Sequence, residues 1–209
     1  MEILNYLNTF FFRHKRLKVC RNEIISFYEA AVSCFKKGGF MYVVGNGGSA
    51  SDCDHFAGEM LKGFVLPRRL SSEGARDTLD AGSFTNLQNA LPVIPLTNFN
   101  SFNTAFSNDC NPQYVFAQLV WTLVKSSDIL VCISTSGNSK NILEAAKVAN
   151  CIGAKVVALT NYVGGSLKKL VKGLCINVPE LETFKTQELH LPIYHIVSII
   201  LESVFFLKK

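Results

Sequence analysis

The sequence predicts an α/β fold in three layers, with a five-stranded parallel β-sheet between helices and a long helix at the C-terminal end. Three observations lead to it. The chain has 209 residues, 48% of them hydrophobic, which suffices for a single core without disulfides. Five short apolar, β-branched runs recur, and their unbroken apolar character is typical of strands covered on both faces. Helical patterns separate these runs, which favours parallel strands joined by right-handed crossovers.

The elements follow from these patterns in chain order. The predicted strands are Phe40–Val44, Pro92–Leu96, Ile129–Ile133, Lys155–Leu159 and Leu174–Val178. The predicted helices are Glu23–Lys37, Ala50–Leu61, Tyr114–Val124, Asn141–Cys151 and Thr183–Phe206. Gly38-Gly39 is a typical C-terminal stop for the first of these helices. Residues 67–90 are polar and without periodicity, which predicts an inserted functional loop, a lid or a partly ordered segment within one domain spanning 1–209.

Composition excludes several classes of protein. The net charge of +5 and the high apolar content exclude a disordered chain, and no clustered basic patch indicates nucleic-acid binding. Only 18% of the residues are charged, below the usual ~25%, which indicates that another subunit covers some apolar surface. We expect a homo-oligomer with the N-terminal helices, about residues 1–37, in its contacts.

The cellular compartment is predicted from what the sequence lacks. Seven widely spaced cysteines without a CxxC motif are typical of thiols in a reducing cytosol. The N-terminal segment has its basic cluster after its apolar run, the reverse of a signal peptide. The apolar segment Leu191 to Leu207 contains Pro192, His195 and Glu202 and is too short for a membrane span. We therefore expect a cytoplasmic protein without membrane contact.

Two loops that follow predicted strands carry the features of a phosphate site. The first reads Gly45-Asn46-Gly47-Gly48-Ser49-Ala50-Ser51, and its glycines allow a sharp turn that exposes backbone N–H groups before a helix. The second reads Ser134-Thr135-Ser136-Gly137-Asn138-Ser139 and adds hydroxyls to amides at a helix start. Ligands of open parallel sheets bind beyond the carboxyl ends of the strands, where both loops lie.

Other interpretations of these loops are weaker. The first loop matches a G-x-G-x-x-A variant of the dinucleotide fingerprint, but no strand with a terminal acidic residue follows at the required distance. No G-x-x-x-x-G-K-[ST] motif is present, so no nucleotide cofactor is expected. The serine loop alone could be only a tight strand–helix connection with a capping serine.

Two groups of protonatable residues are candidates for the chemistry. His55 and Glu59 lie four residues apart and share one helix face, which suits a metal pair or an acid/base pair but also an exposed surface pair. Gln187 and His195 lie on the last helix. A single histidine in such apolar surroundings is often only a core residue with its hydrogen bonds satisfied.

Three segments resemble the signature regions of the sugar isomerase (SIS) domain, a flavodoxin-like α/β fold. They are GNGGSASDCDHFAGEM, ISTSGNSKNILEAAK and TQELHLPIYHIVSIILE. Within that domain the sequence is most similar to the phosphoheptose isomerases, over about Glu23 to Glu202. The resemblance implies an aldose–ketose isomerase that converts sedoheptulose 7-phosphate to D-glycero-D-manno-heptose 7-phosphate through an enediol. It also implies a homotetramer with active sites between subunits.

The resemblance assigns roles to individual residues. It implies substrate and phosphate contacts for Asn46, Gly47, Ser49, Asp109, Ser134, Thr135, Ser136, Ser139 and Gln187. It implies metal ligands, usually to zinc, at His55, Glu59, Gln187 and His195. Glu59 and His195 are also the implied acid/base pair. Gln187 and His195 are eight residues apart, so their Cα atoms are about 12 Å apart and about 80° offset on a straight helix. Either Pro192 bends the helix or the two residues serve different subunits.

Three departures from the family leave alternatives open. Lys62-Gly63-Phe64 stands where the family commonly has Gly-Arg-Tyr, and Phe184-Lys185-Thr186-Gln187 stands where it has Asp-Arg-Ile-Gln. The stretch 67–90 is longer than its family counterpart. One alternative is therefore an isomerase for a different sugar phosphate. The other is a non-catalytic module that binds a sugar phosphate or a protein.

Overall fold

The five strands form one parallel sheet in the order β2-β1-β3-β4-β5. The structure is a computed structural model and describes residues 2–70, 73–171 and 174–207, so Met1, Ser71, Ser72, Lys172, Gly173 and the last two lysines lie outside it. The strands are β1 Met41–Gly45, β2 Val93–Pro95, β3 Ile129–Ile133, β4 Lys155–Thr160 and β5 Cys175–Asn177. This order is the flavodoxin-like one, and the predicted fold class is confirmed.

Helices cover both faces of the sheet. They are α1 Glu2–Arg13, α2 Arg21–Lys36, α3 Gly48–Leu61, α4 Glu73–Thr78, α5 Ala81–Asn86, α6 Asn100–Asp109, α7 Val115–Leu123, α8 Lys140–Ile152, α9 Gly165–Leu170 and α10 Thr183–Phe206. Helices α1, α2 and α3 pack with α10, while α7, α8 and α9 pack together. Every residue of β1 and β3 is buried, as continuous apolar strands require.

The segment 67–90 is more regular than an unpatterned loop, over the residues that the structure describes. It contains the short helices α4 and α5, and an isolated antiparallel bridge joins Arg69 to Gln88 near its two ends. Asp80 caps α5 by accepting a hydrogen bond from the Ser83 amide at 2.9 Å. A single turn set by a capping side chain has no hydrophobic period, so periodicity could not predict it.

Helix α10 runs unbroken from Thr183 to Phe206 with Pro192 inside it. Among the described residues it alone is long and apolar enough to cross a membrane, but 56% of its most apolar window is buried inside the protein. It packs on α2 and α3, which makes it a core helix of the fold. The residues of α10 that face α3 therefore lie beside the helix that leaves the glycine loop.

Candidate active site

The loops after β1 and β3 lie next to each other. Strand β1 pairs with β2 on one side and β3 on the other, so the crossover direction of the sheet changes between β1 and β3. Such a switch point opens a crevice beyond the carboxyl ends of the strands. The side-chain amides of Asn46 and Asn141 join the two loops by reciprocal hydrogen bonds of 2.9 Å.

The glycine loop turns so tightly that a side chain would not fit at Gly45, and Gly48 lies against the Gln187 side chain. A Cβ at Gly45 would lie 2.4 Å from the Ser49 carbonyl oxygen, and one at Gly48 would lie 2.6 Å from Nε2 of Gln187. Gly47 has a φ of +55°, a left-handed conformation that favours glycine. The loop thus brings the start of α3 directly against the Gln187 side chain of α10.

The serine loop is rigid because its neighbours hold it. Ser134 is buried and donates a hydrogen bond to the Ser139 hydroxyl at 3.2 Å, while the Ser136 hydroxyl accepts one from the Asn138 amide. A Cβ at Gly137, whose φ is +64°, would lie 2.0 Å from the Gly164 carbonyl oxygen. Ser136 is exposed and Thr135 and Ser139 are partly exposed, so their side chains are accessible to a ligand.

Three protonatable side chains meet where α3 and α10 pack together. His55 Nε2 lies 3.1 Å from Glu59 Oε1 and 3.4 Å from His195 Nε2. One ligand atom from each of the three residues lies within 4.8 Å of the others. We call this group the His–Glu–His cluster. Burial, followed by the nearby His55, lowers the pKa of His195, so this imidazole is neutral at neutral pH.

The Tyr194 hydroxyl orients the His55 imidazole through Nδ1, the ring nitrogen that faces away from the cluster. Tyr194 is 1% exposed, and its hydroxyl lies 3.2 Å from Asp52 Oδ1 and 3.1 Å from His55 Nδ1. Burial, and next the Asp52 carboxylate, raises the pKa of Tyr194, so the hydroxyl keeps its proton. It therefore donates to the Asp52 carboxylate and accepts from His55 Nδ1–H. This arrangement leaves the lone pair of His55 on Nε2, which faces the cluster.

The chemistry of the donor atoms fits a divalent metal ion. In the neutral tautomer with Nδ1 protonated, Nε2 of His55 carries a lone pair and faces Glu59 and His195. The other oxygen of Glu59, Oε2, is buried and accepts no hydrogen bond from the described residues. Two imidazoles and a carboxylate that converge in this way are a typical ligand set of zinc, which takes nitrogen and oxygen at about 2.0–2.2 Å. His55, Glu59 and His195 would hold it.

Two predicted site residues lie apart from the cluster. Gln187 contacts Gly48 at the start of α3, whereas His195 contacts His55, seven residues or about 10 Å further along that helix. Asp109 is exposed at the end of α6, where its carboxylate accepts a hydrogen bond of 2.9 Å from Asn108. Neither hydrogen-bonds to the cluster among the described residues. Their implied roles remain predictions.

Sequence reasoning missed Asp52 and Tyr194. Asp52 lies one helical turn before His55, and Tyr194 precedes His195 directly, so both were in quoted motifs. A carboxylate at i−3 of a candidate ligand was the available signal for Asp52. Tyr194 had none, because an aromatic residue in a mostly apolar helix is typical of the core.

The structure also explains why Gly63, just after α3, stands where the family commonly has an arginine. A Cβ at Gly63 would lie 2.7 Å from the Leu66 carbonyl oxygen, so this backbone leaves no room for a side chain. The Gly63 amide instead donates a hydrogen bond of 2.7 Å to Gln88. A positive charge is still present, because Lys62 Nζ lies 3.8 Å from Glu59 Oε2.

Comparison with known proteins identifies the family. The sequence matches the SIS domain family over residues 76–161. It is 36% identical to a phosphoheptose isomerase of Pelobacter propionicus over 175 residues, which cover 84% of this chain and 82% of the relative. The chain belongs to the phosphoheptose isomerase family.

Solved structures of the family share the fold. The phosphoheptose isomerase GmhA from Neisseria gonorrhoeae superposes with a TM-score of 0.75 and 30% identity, covering 97% of this chain and 94% of that one. A phosphoheptose isomerase from Francisella tularensis gives the same score and identity and is covered completely. The likeness therefore extends over nearly the whole chain and includes α10, the helix that carries His195.

Proposed function

We propose that this protein isomerises sedoheptulose 7-phosphate to D-glycero-D-manno-heptose 7-phosphate. The observation that carries the proposal is the convergence of His55, Glu59 and His195 where α10 packs on α3, the helix that leaves the glycine loop at the switch point. A protein that only binds sugar phosphates has no need of a protonatable cluster. Membership of the phosphoheptose isomerase family supports the same substrate.

The reaction moves one proton between neighbouring carbons. In the direction from ketose to aldose, a base removes a proton from C1 and an enediol forms, after which a proton returns to C2. Glu59 is the base, and it takes and returns this proton as a free carboxylate, at the stage when it is not bound to the metal. His195, neutral at neutral pH, carries the proton between the two substrate oxygens. Zinc held by the cluster would polarise the carbonyl.

The serine loop binds the phosphate, far from the reacting carbons. The hydroxyls of Ser134, Thr135, Ser136 and Ser139 lie at the start of α8, where the helix dipole and unpaired amides favour an anion. Asn46, Gly47, Ser49 and Gln187 line the neighbouring loop and contact the sugar. Phosphate binding orients the chain of the sugar along the crevice toward Glu59.

The zinc ion, a cytoplasmic homotetramer and a role for Asp109 complete the proposal. Large apolar side chains are exposed on the N-terminal segment, where Phe12 is 76% and Val19 is 71% exposed, and a tetramer would cover them. In such an assembly Gln187 and Asp109 contribute to sites shared between subunits. The seven cysteines are free thiols, as in a reducing cytosol.

Turnover of purified protein tests the proposal. Protein with and without added zinc is incubated with sedoheptulose 7-phosphate, and with ketose phosphates of five and six carbons, and the aldose products are separated. We expect turnover of the heptose and a loss of at least 1,000-fold in Glu59→Gln and His195→Gln, with phosphate-ester binding retained. Activity only on a ketose phosphate of five or six carbons would show that the substrate is that shorter sugar. No activity on any of these sugar phosphates, together with tight binding of one of them, would favour the non-catalytic binding module.

A further inference from the structure

We propose that Arg68 and Glu202 are positioning residues that fix α3 and α10, the two helices of the candidate site, relative to each other. This inference rests on the proposed isomerase function. The two side chains form an ion pair in which neither is exposed to solvent, with Arg68 Nε 2.7 Å from Glu202 Oε1. Arg68 follows α3 in the chain, and Glu202 lies on α10. The pair therefore joins the two helices that carry the His–Glu–His cluster.

The guanidinium group of Arg68 caps the end of α3. Its two terminal nitrogens donate hydrogen bonds to the main-chain carbonyls of Met60 and Glu59, at 2.6 and 2.9 Å. These carbonyls lie in the last turn of the helix, where no further turn supplies amide donors and a positive charge is favourable. Arg68 thus bonds directly to the backbone of Glu59, the proposed base.

The carboxylate of Glu202 holds the segment that follows α3. It accepts hydrogen bonds of 2.8 Å from the main-chain amides of Phe64, Val65 and Leu66. Together with Arg68 these bonds occupy its four lone-pair directions, and they lower the pKa of Glu202 despite its burial. The carboxylate remains charged, so the pair persists across the neutral range.

Both residues of this pair connect to the proposed acid/base residues, Glu59 and His195. The Phe64 ring lies against the His195 imidazole, with ring centroids 5.4 Å apart. Glu202 lies seven residues, or two turns, after His195, so the two point from the same side of α10. A shift of the Arg68–Glu202 pair would therefore displace the Glu59 backbone and the Phe64 ring together.

Stability by itself gives little reason for such a pair. Burying two charges costs hydration, and apolar side chains of similar volume often stabilise a fold equally well. What the apolar substitutes cannot do is bond three amides and two carbonyls in fixed directions. The planar fork of arginine supplies those directions, whereas the single ammonium of lysine does not.

Three variants test the proposal. Arg68→Met removes the cap, and Arg68→Lys keeps the charge without the fork. Arg69→Met is the matched control, because this neighbouring arginine is exposed. We expect kcat for sedoheptulose 7-phosphate to fall 10- to 100-fold in both Arg68 variants, with KM within 3-fold of wild type. Arg69→Met keeps the wild-type kcat.

A second readout does not require activity. Ring ¹⁵N signals of His55 and His195 in substrate-free protein report the geometry of the cluster, and we expect them to shift in both Arg68 variants and not in Arg69→Met. A folded Arg68→Lys protein with wild-type kcat and unchanged ring signals would overturn the proposal. If wild-type protein turns over no sugar phosphate, the proposed function fails and the ring signals still decide the positioning role.

Discussion

A single hydroxyl sets the chemistry of His55. The Tyr194 oxygen lies between Asp52 and His55 Nδ1, and its raised pKa keeps its proton on the side of the carboxylate. The imidazole must then present its lone pair on Nε2, toward Glu59 and His195. Partners of this kind orient metal-binding histidines, and their removal typically costs 10- to 100-fold in metal affinity or activity.

We therefore predict that Tyr194→Phe lowers zinc affinity about 10- to 100-fold, because His55 loses the acceptor that fixes its tautomer. Competition with a chromogenic chelator measures the affinity, and ¹⁵N spectra of His55 report the tautomer. Tyr42→Phe is the matched control, since Tyr42 is also buried and its hydroxyl donates to the distant Leu123 carbonyl. Unchanged affinity in Tyr194→Phe would contradict the assigned role.

The serine loop gives a second prediction at this scale. Ser136→Ala and Ser139→Ala should each raise KM about 10- to 100-fold with little change in kcat, because a hydrogen bond to a charged phosphate contributes about 1.5–3 kcal/mol in ground and transition states alike. Steady-state kinetics separate the two constants. Ser33→Ala, an exposed serine of α2, should match wild type. The phosphate assignment is wrong if KM stays unchanged in both loop variants.

At the scale of elements, α10 has two functional faces. One meets α3 through Tyr194 and His195, and the other buries His190 beneath the end of β4. The His190 ring is completely buried, with Nε2 3.4 Å from the Thr160 carbonyl oxygen and Nδ1 without a partner among the described residues. This side chain is neutral in the folded protein, because burial lowers its pKa to about 4.

This burial predicts a pH dependence of stability. The pKa of His190 is about 4 in the folded protein and about 6.5 in the unfolded chain, so the unfolded state binds the proton more readily. The part of the free energy of unfolding that depends on neutral His190 is fully present above pH 6.5 and is lost as the pH falls to 4. The loss is about 3 kcal/mol, at 1.36 kcal/mol per pKa unit. Denaturant titrations of wild type and His190→Gln between pH 7 and 4 measure it. We expect the wild type to lose more stability by that amount, and parallel curves would refute the prediction.

At the scale of the whole molecule, the exposed apolar side chains of the N-terminal segment predict self-association. Phe12 and Val19 are largely exposed, while Leu7 and Phe11 on the same segment are buried against the core. We expect light scattering to return a multiple of the 23.1 kDa chain mass, and four-fold if the homotetramer forms. Phe12→Glu should reduce that mass, whereas Lys18→Glu, a charge reversal at an exposed neighbour, should not. A wild-type monomer at micromolar concentration would exclude sites shared between subunits.

The sequence by itself determined the sheet, the long helix and the two loops. Ile129–Ile133 and Thr183–Phe206 are observed with the predicted bounds, and the other predicted strands and helices differ by one or two residues at their ends. Unbroken apolar runs and helical periods are local signals, and so is the spacing of His55 and Glu59 on one helix. The short helices of 67–90 were not predicted, because neither has a hydrophobic period and α5 is set by the Asp80 cap.

Only the tertiary structure decided which distant side chains meet. The family resemblance implied that His195 would meet His55 across 140 positions, and the structure brings the two together. No pattern or resemblance predicted that Glu202 would join Arg68 across 134 positions. These contacts depend on how α10 packs against α3, and no local pattern encodes that packing. Arg68 belonged to a stretch that was predicted to be a polar loop, because the residues that follow it are mostly polar and its burial comes from α3 and α10. The physical reason is that a buried charge needs a partner, and the folded chain supplies that partner from a distant part of the sequence. A sequence pattern records only neighbours along the chain.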